Sequence, residues 1–475
     1  MRLCISRAVK SQCFRTLKTD RVKEIFEVTI LKNALAASTA IGLLASPAFA
    51  ANDNDAFLSQ SGDDNTASIV QSGNGNAAGT AARNVRQNGD NNELDILQSG
   101  NGNKAGATGD GFNQSFNRNK LLVTQSGNDN ETKQILQRAS FHSVVSNDLT
   151  IMQSSDDNFI GVVNQDIEGN ITDPADGNIA SITQQVGDGN DVQRLEQLGR
   201  NNDATILQSG TGNTILAVQQ GDVYGGSTEN NDDGLVSISQ VGANNFIDTV
   251  EQFGSGHSAI LSITGDSNGT SGFSSGKAAE AAGAFNASSQ QFGVGNSVQM
   301  TILNASSNQF GFYQDGTGNM AVNILITGDA NELGVHQTGT DNSLDLGTIA
   351  GMENIVGLIQ NGSGNVASLD VIGDQNGGYN AFTGADAIAV GLTMPGLMEQ
   401  IGTNNQIAMS VSGTGNVFAF YQEGASLATG GNTIVGSQDN SAGGAYNQAA
   451  VMQVGDGNAA NFTQIGGGNV AGISQ

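Results

Sequence analysis

Along most of this chain, apolar and amide side chains fall on every second residue for six or seven residues, stop at a glycine, and start again. Asn65, Ala67, Ile69 and Gln71 form one such run; Asn202, Ala204, Ile206 and Gln208 form another. Asn405, Ile407, Met409 and Val411 follow the same rule, as do Asn469, Ala471, Ile473 and Gln475. A period of two places each set on one face of an extended strand. The intervening x-Gly-x-x segments carry turn chemistry, because glycine reaches positive φ without a Cβ clash. The pattern therefore predicts many short strands joined by tight turns.

The turns fall inside a hexad, Gln-x-Gly-x-x-Asn. It starts at Gln60, Gln71, Gln87, Gln98, Gln125, Gln185, Gln197, Gln208, Gln240, Gln291, Gln314, Gln337, Gln360, Gln375, Gln400, Gln453 and Gln464. Its glycines and asparagines include Gly62 and Asn65, Gly73 and Asn76, Gly100 and Asn103, Gly127 and Asn130, and Gly210 and Asn213. Further along they include Gly316 and Asn319, Gly339 and Asn342, Gly362 and Asn365, Gly402 and Asn405, Gly455 and Asn458, and Gly466 and Asn469. An apolar residue replaces the glutamine at Ile263, Ile326, Ile349, Val371 and Val411. Starts recur every 11 or 12 residues between Gln314 and Val371, alternating Gln with Ile or Val, so the unit is a pair of about 22–23 residues.

Two strands and two turns make a coil that cannot bury its apolar face alone. Coils must stack roughly 4.8 Å apart, which puts like on like in ladders. The fold class is thus all-β: a β-solenoid of cross-β character, with loop insertions. Stacked Gln and Asn amides satisfy one another, where a stranded buried amide costs about 1–3 kcal/mol. Gln60, Gln71, Gln98, Gln125, Gln208, Gln314, Gln337, Gln360, Gln400, Gln453 and Gln464, with the glycines and asparagines just named and Gln475, form the expected stacking ladder. Where the step is 12, as from Asn319 to Ile326, the extra residue predicts a bulge or longer turn. Insertions are expected around 138–152, 166–184, 222–239, 266–290, 376–398 and 423–452; Pro174 and Pro395 fall in them, leaving every strand N–H free to pair. The first strand starts soon after residue 51 and the last runs to Gln475, with no evident cap, which predicts open edges and head-to-tail growth.

Composition narrows the function. Glycine numbers 66 of 475 residues, charged residues are 13%, and the formal charge is −27, which disfavours nucleic acid as a partner. Residues 1–50 hold eight of the 18 basic residues, a short apolar run and Ala48-Phe49-Ala50. This reads as a secretory signal cut between Ala50 and Ala51, with a true start near Val22. Cys4 and Cys13 leave with it, so the mature chain has neither disulfides nor a Cys metal site, and no membrane span follows. No cofactor is expected. Gly272 to Gly276 fits G-x-S-x-G but lacks a strand-to-helix context, and His142, His257 and His336 stand apart, so no catalytic residue is assigned. Asp63, Asp64, Asp129, Asp156, Asp157, Asp188 and Asp456 project at coil corners, where stacked like charges repel and calcium is the sharper alternative to plain solvation.

Paired repeats carrying Gln-x-Gly-x-x-Asn-x-Ala-x-x-x-Gln resemble the curlin repeats of curli subunits, bacterial extracellular amyloid fibres. Gln60, Gly62, Asn65, Ala67 and Gln71 fit in order, as do Gln453, Gly455, Asn458, Ala460 and Gln464. The resemblance implies a secreted, non-enzymatic subunit that polymerises with copies of itself for adhesion and biofilm matrix. It also implies partners in a curli-type secretion pore and a nucleator. This chain is longer than the usual curlin subunit and is interrupted by long insertions. The competing expectation is a monomeric surface adhesin that binds ligands through its inserted loops.

Overall fold

The computed structural model describes residues 24–30, 53–139, 147–167, 177–221, 231–424 and 430–475. The signal-cleavage residues Ala48, Ala50 and Ala51, and also His142 and Pro174, lie outside the described residues. The chain divides into two compact units, Met1–Gly177 and Asn178–Gln475. Each unit is a β-solenoid built from two parallel sheets, here called front and back, whose strands alternate along the chain.

In the first unit the back strands are Thr66–Ser72, Glu93–Ser99, Lys120–Ser126 and Asp148–Gln153, paired parallel and in register. The front sheet runs Asn54–Ser61, Val85–Asn88, Gly111–Ser115, Glu131–Arg138 and Phe159–Asp166. The coil here is longer than the 22–23 residues expected, since Gln60, Gln87 and Gln114 are stacked neighbours 27 residues apart. Residues 79–84 and 106–110 account for the excess; they loop out of the front sheet, and Arg83 Nη1 donates to the Gly109 carbonyl between them. The strand Glu24–Ile30 lies parallel to Asn54–Ser61, with Ile30 opposite Gln60.

The second unit repeats the plan with closer spacing: Gln291, Gln314, Gln337 and Gln360 stack at intervals of 23. Its core is a set of columns. Phe312, Val335, Leu358, Met398, Phe420 and Val451 follow one another in the front sheet, each buried. Full burial of such side chains contributes about 1.5–3 kcal/mol each, available only from adjacent coils. The extra residue between Asn319 and Ile326 is a bulge: pairing shifts between Val298–Ala321 and Met300–Ile324, with Asn323 at φ 56.

Several expected insertions are shorter than the sequence suggested. Strands Asp148–Gln153, Ile179–Gln185, Leu235–Val241, Ser288–Val294 and Leu397–Thr403 occupy their C-terminal ends, and 423–452 contains the whole strand Thr433–Asn440. Stacking against a neighbouring coil imposes extended structure even where the hexad is degenerate. What remains in the second unit includes inserts 269–287 and 377–396.

These two inserts pack back onto the outer surface of the front sheet. The first carries helix α1 (Ala278–Ala281) across Gly334 and Gly357, and the second carries α2 (Ala385–Ala389) to Gly472. A Cβ at Gly334 would sit 2.2 Å from the Ala279 carbonyl oxygen, and one at Gly472 would sit 2.0 Å from that of Asp386. Small outward residues are thus the seat of the inserts. Lys277 Nζ donates to the Gly378 and Tyr379 carbonyls, both 3.0 Å away, tying one insert to the other.

Candidate functional site

The feature that sets this protein apart is its amide ladders. In the front sheet of the second unit, Gln197, Gln220, Gln252, Gln291, Gln314, Gln337, Gln360, Gln400, Gln422, Gln453 and Gln475 form one chain of hydrogen bonds. Each Nε2 donates to the Oε1 of the next at 2.7–3.0 Å. The first unit has Gln60, Gln87, Gln114, Gln137 and Gln165 in front and Gln71, Gln98, Gln125 and Gln153 behind. Every link has the same sense: the donor lies in the coil with lower numbers. Backbone carbonyls fix that sense, as where Gln314 Nε2 also reaches Ser297 O and Asn319 O.

The asparagines make a second system at the corners. Asn319 N donates to Asn296 Oδ1 at 2.9 Å, Asn342 N to Asn319 Oδ1 at 3.1 Å, and Asn365 N to Asn342 Oδ1 at 3.3 Å. Asn405 and Asn458 continue the column, the latter through Asn432. In the first unit Asn65 serves Asn92, while Asn76, Asn103 and Asn130 follow in order. Asn213 stacks on Asn190, and Asn469 on Asn447. Many of these side chains also close their own turn, as Asn319 Nδ2 does on Asp315 O.

The hexad glycines are required by stacking itself. Gly316 has φ +119, and a Cβ there would lie 2.0 Å from the Gly339 carbonyl oxygen in the next coil. Gly62, Gly73, Gly100, Gly210, Gly339, Gly362 and Gly402 make the same close approach at positive φ. A Cβ at Gly127 would lie 2.4 Å from Ser155 O without positive φ, and Gly455 and Gly466 have positive φ but no such neighbour.

Burial falls off at the outer coils. Gln60 and Gln71 are half-buried, Gln475 is exposed, and Asn458 and Asn469 are half-buried, whereas Gln98, Gln125, Gln208, Gln314, Gln337, Gln360, Gln400 and Gln453 are fully buried; Gln464 is 5% exposed.

Two hexads do not use the residue they name. Gln375 sits in a turn at φ 58, and the ladder position is taken by Asn376 of the preceding Val371 hexad, which bonds Asn354. Gln184, not Gln185, is buried and donates to Gln208 Oε1, because Val186 at φ 54 adds a residue to the turn. Conversely, ladder members without a regular hexad include Gln114 and Gln153, where Phe116 (φ 67) and Ser155 stand in the glycine place. His257 is a further case. It is 1% exposed and occupies the asparagine column, its Nδ1 accepting from Asn296 N and its Nε2 donating to Phe253 O. Burial lowers its pKa, against backbone carbonyls that pull it upward.

In the back sheet of the second unit the glutamine column is interrupted: Gln240 is followed by Ile263, and Val411 by Gln438. The ends of this block are not equivalent. Gln240 Nε2 keeps the carbonyl bond that its ladder neighbours also make, to Thr214 O, but Gln438 Oε1 is buried with no partner among the described residues, since valine cannot donate.

The remaining candidates acquire structural roles. Ser274 donates through its N–H and hydroxyl to the Glu332 carboxylate, anchoring the first insert. His336 Nδ1 faces Ala282 O at 3.1 Å beneath that insert, and burial lowers its pKa. Turn carboxylates are bound into the corners: Asp90 Oδ1 accepts from Asp63 N, and Asp156 Oδ1 from Asn128 N. Asp329 and Asp374 do likewise for Ser306 N and Met352 N, so neutral residues separate many of the charges. Among the described residues no group of three or more His, Cys, Asp or Glu is arranged to hold a metal ion. On the outer front face, Tyr421 OH donates to Glu423 and is pushed up to about 12, chiefly by burial.

Against known protein families, the curlin associated repeat matches residues 51–79 and 194–222. The chain carries curlin repeats at these two places. The two matched stretches lie in different units, and each carries ladder residues on successive strands: Gln60 and Gln71 on two strands in one, Gln197, Gln208 and Gln220 on three in the other. No curated protein matches this curlin-repeat chain. The family is a structural one, of extracellular or cell-surface fibre proteins. Among the described residues, no helix is long and apolar enough to cross a membrane.

Proposed function

We propose that this chain is a secreted, non-enzymatic subunit that polymerises by self-templated strand stacking into extracellular fibres for adhesion and biofilm matrix. The observation that carries the reading is the one-way glutamine ladder. A coil presents amide donors on one side and amide acceptors on the other, so any coil is a template for a like one. Gln475 Nε2 donates to Ala459 O, and its second proton has no partner among the described residues; the Oε1 of Gln60 and Gln71 likewise accepts no bond among them. Export of residues 51–475 through a curli-type pore, and initiation on a nucleator, belong to the same reading.

The adhesin alternative draws less support, because the inserts 269–287 and 377–396 lie against the sheet instead of projecting from it. The purified mature chain should convert from soluble to sedimentable fibres with a meridional diffraction spacing near 4.7–4.8 Å. A chain that stays in the supernatant at all concentrations would overturn the proposal.

A further inference from the structure

We infer that one copy enters on another in a single register, with Asn54–Gln71 of the incoming copy laid over Asn458–Gln475 of the copy before it. The inference rests on the stacking proposed above and names its interface. Within the second unit the last two strands are Ala459–Ile465 in the back sheet and Val470–Ser474 in front. Each pairs with one earlier strand, Thr433–Asn440 and Gln448–Val454 respectively, and its other edge is unpaired among the described residues. Continuing the winding, the next strand must land on Ala459–Ile465 and the one after it on Val470–Ser474.

The first two solenoid strands of the chain match this demand residue for residue. Asn458, Ala460, Phe462, Gln464, Gly466, Asn469, Ala471, Ile473 and Gln475 occupy the ladder positions of one segment; Asn54, Ala56, Leu58, Gln60, Gly62, Asn65, Ala67, Ile69 and Gln71 occupy those of the other. The two segments carry the same residue at every position but one, and there Leu replaces Phe. Their polarity is complementary as well. Gln464 and Gln475 lie at the donor side of their ladders, and Gln60 and Gln71 at the acceptor side. Ile473 and Ile69 are each half-buried, and stacking them would complete both. The column of small outward residues under the second insert, Ala419, Ala450 and Gly472, would continue as Ser68, a side chain small enough to pass. One of the four edges is occupied in the precursor: Glu24–Ile30 covers Asn54–Ser61, and cleavage after Ala50 would remove it.

The register makes a geometric demand that cysteine pairs can read, because the mature chain has no cysteine of its own. Gln475 over Gln71 places Ser474 directly over Val70, at a strand spacing of about 4.8 Å, within disulfide reach. Ser68 is two residues off register and too far. Fibres of the mature V70C/S474C variant, oxidised and then dissolved without reductant, should run as covalent multimers. Fibres of S68C/S474C should give at least tenfold less. If both variants form fibres and cross-link equally, or the second cross-links better, the register is wrong while stacking stands. If the unsubstituted mature chain forms no fibres, the stacking reading itself fails and takes the register with it.

Discussion

Gln337 offers the most direct test of the ladder as a cooperative element. Its Nε2 donates to Gln360 Oε1 at 2.7 Å and to Met320 O at 2.8 Å, and its Oε1 accepts from Gln314 Nε2 at 2.7 Å, all in a fully buried site. Replacing it with leucine keeps the approximate volume but leaves Gln360 Oε1 with no donor. Gln314 is less affected, since Ser297 O and Asn319 O still take its protons. One buried acceptor without a partner costs about 1–3 kcal/mol and the lost bonds about 1 kcal/mol net, so Q337L should lose about 2–3 kcal/mol. The double variant Q337L/Q360L should lose scarcely more, because the stranded acceptor merely moves up to Gln400. Guanidinium unfolding of dilute, unpolymerised protein, read by circular dichroism, measures both. A single variant within about 0.5 kcal/mol of the parent, or a double variant whose loss is the sum of two singles, would refute the ladder as the source of the energy.

Three further outcomes follow from particular residues. Gly334→Ala should dislodge the first insert while leaving the coils intact, since its Cβ would strike the Ala279 carbonyl. No Lys or Arg follows Lys277, so faster trypsin cleavage at that residue, with the fragment beyond it surviving, reports the release. His257 has a folded pKa below its unfolded value near 6.5, so the unfolded chain binds the extra proton first and stability falls as pH drops through that range. His257→Asn restores the asparagine column and should flatten the stability profile between about pH 7 and 5, where the parent slopes; parallel profiles would contradict the assignment. Finally, Gly316→Ala should cost at least about 2 kcal/mol more than Gly295→Ala, because both add positive-φ strain but only the first meets a carbonyl in the next coil; equal unfolding midpoints would speak against close stacking as the reason for that glycine.

Much of this fold was legible because one physical cause, parallel stacking in register, writes the same residue at the same phase of every coil. The alternation from Asn202 to Gln208 gave an inward face, and all four of its residues are buried. The step of 12 at Asn319 gave a bulge. What escaped were positions where the backbone could adopt the required turn without the usual residue. Phe116 tolerates positive φ in the place the hexad gives to glycine. Gln375 misled in the opposite way, since it falls inside the turn of the Val371 hexad, where its amide donates to Glu353 instead of joining the ladder. The inserts were legible as irregular stretches, but their seat on the sheet was not: Gly334 and Gly357 look like weak strand residues until the helix lying on them is seen. The looser coils of the first unit escaped for a related reason, because residues 79–84 and 106–110 carry no pattern of their own.

The block of Ile and Val between Gln240 and Gln438 carries an evolutionary consequence. A lone exchange inside a glutamine run is penalised, yet extending an existing apolar run by one member costs nothing new, because its two frontiers only shift. Such frontiers can drift from coil to coil of the second unit like domain walls in a magnet. They are unequal, since Gln240 Nε2 still donates to Thr214 O whereas Gln438 Oε1 has no donor among the described residues. Sequence change in a molecule of this kind should therefore spread by contagion from coil to neighbouring coil, with scattered exchanges selected against.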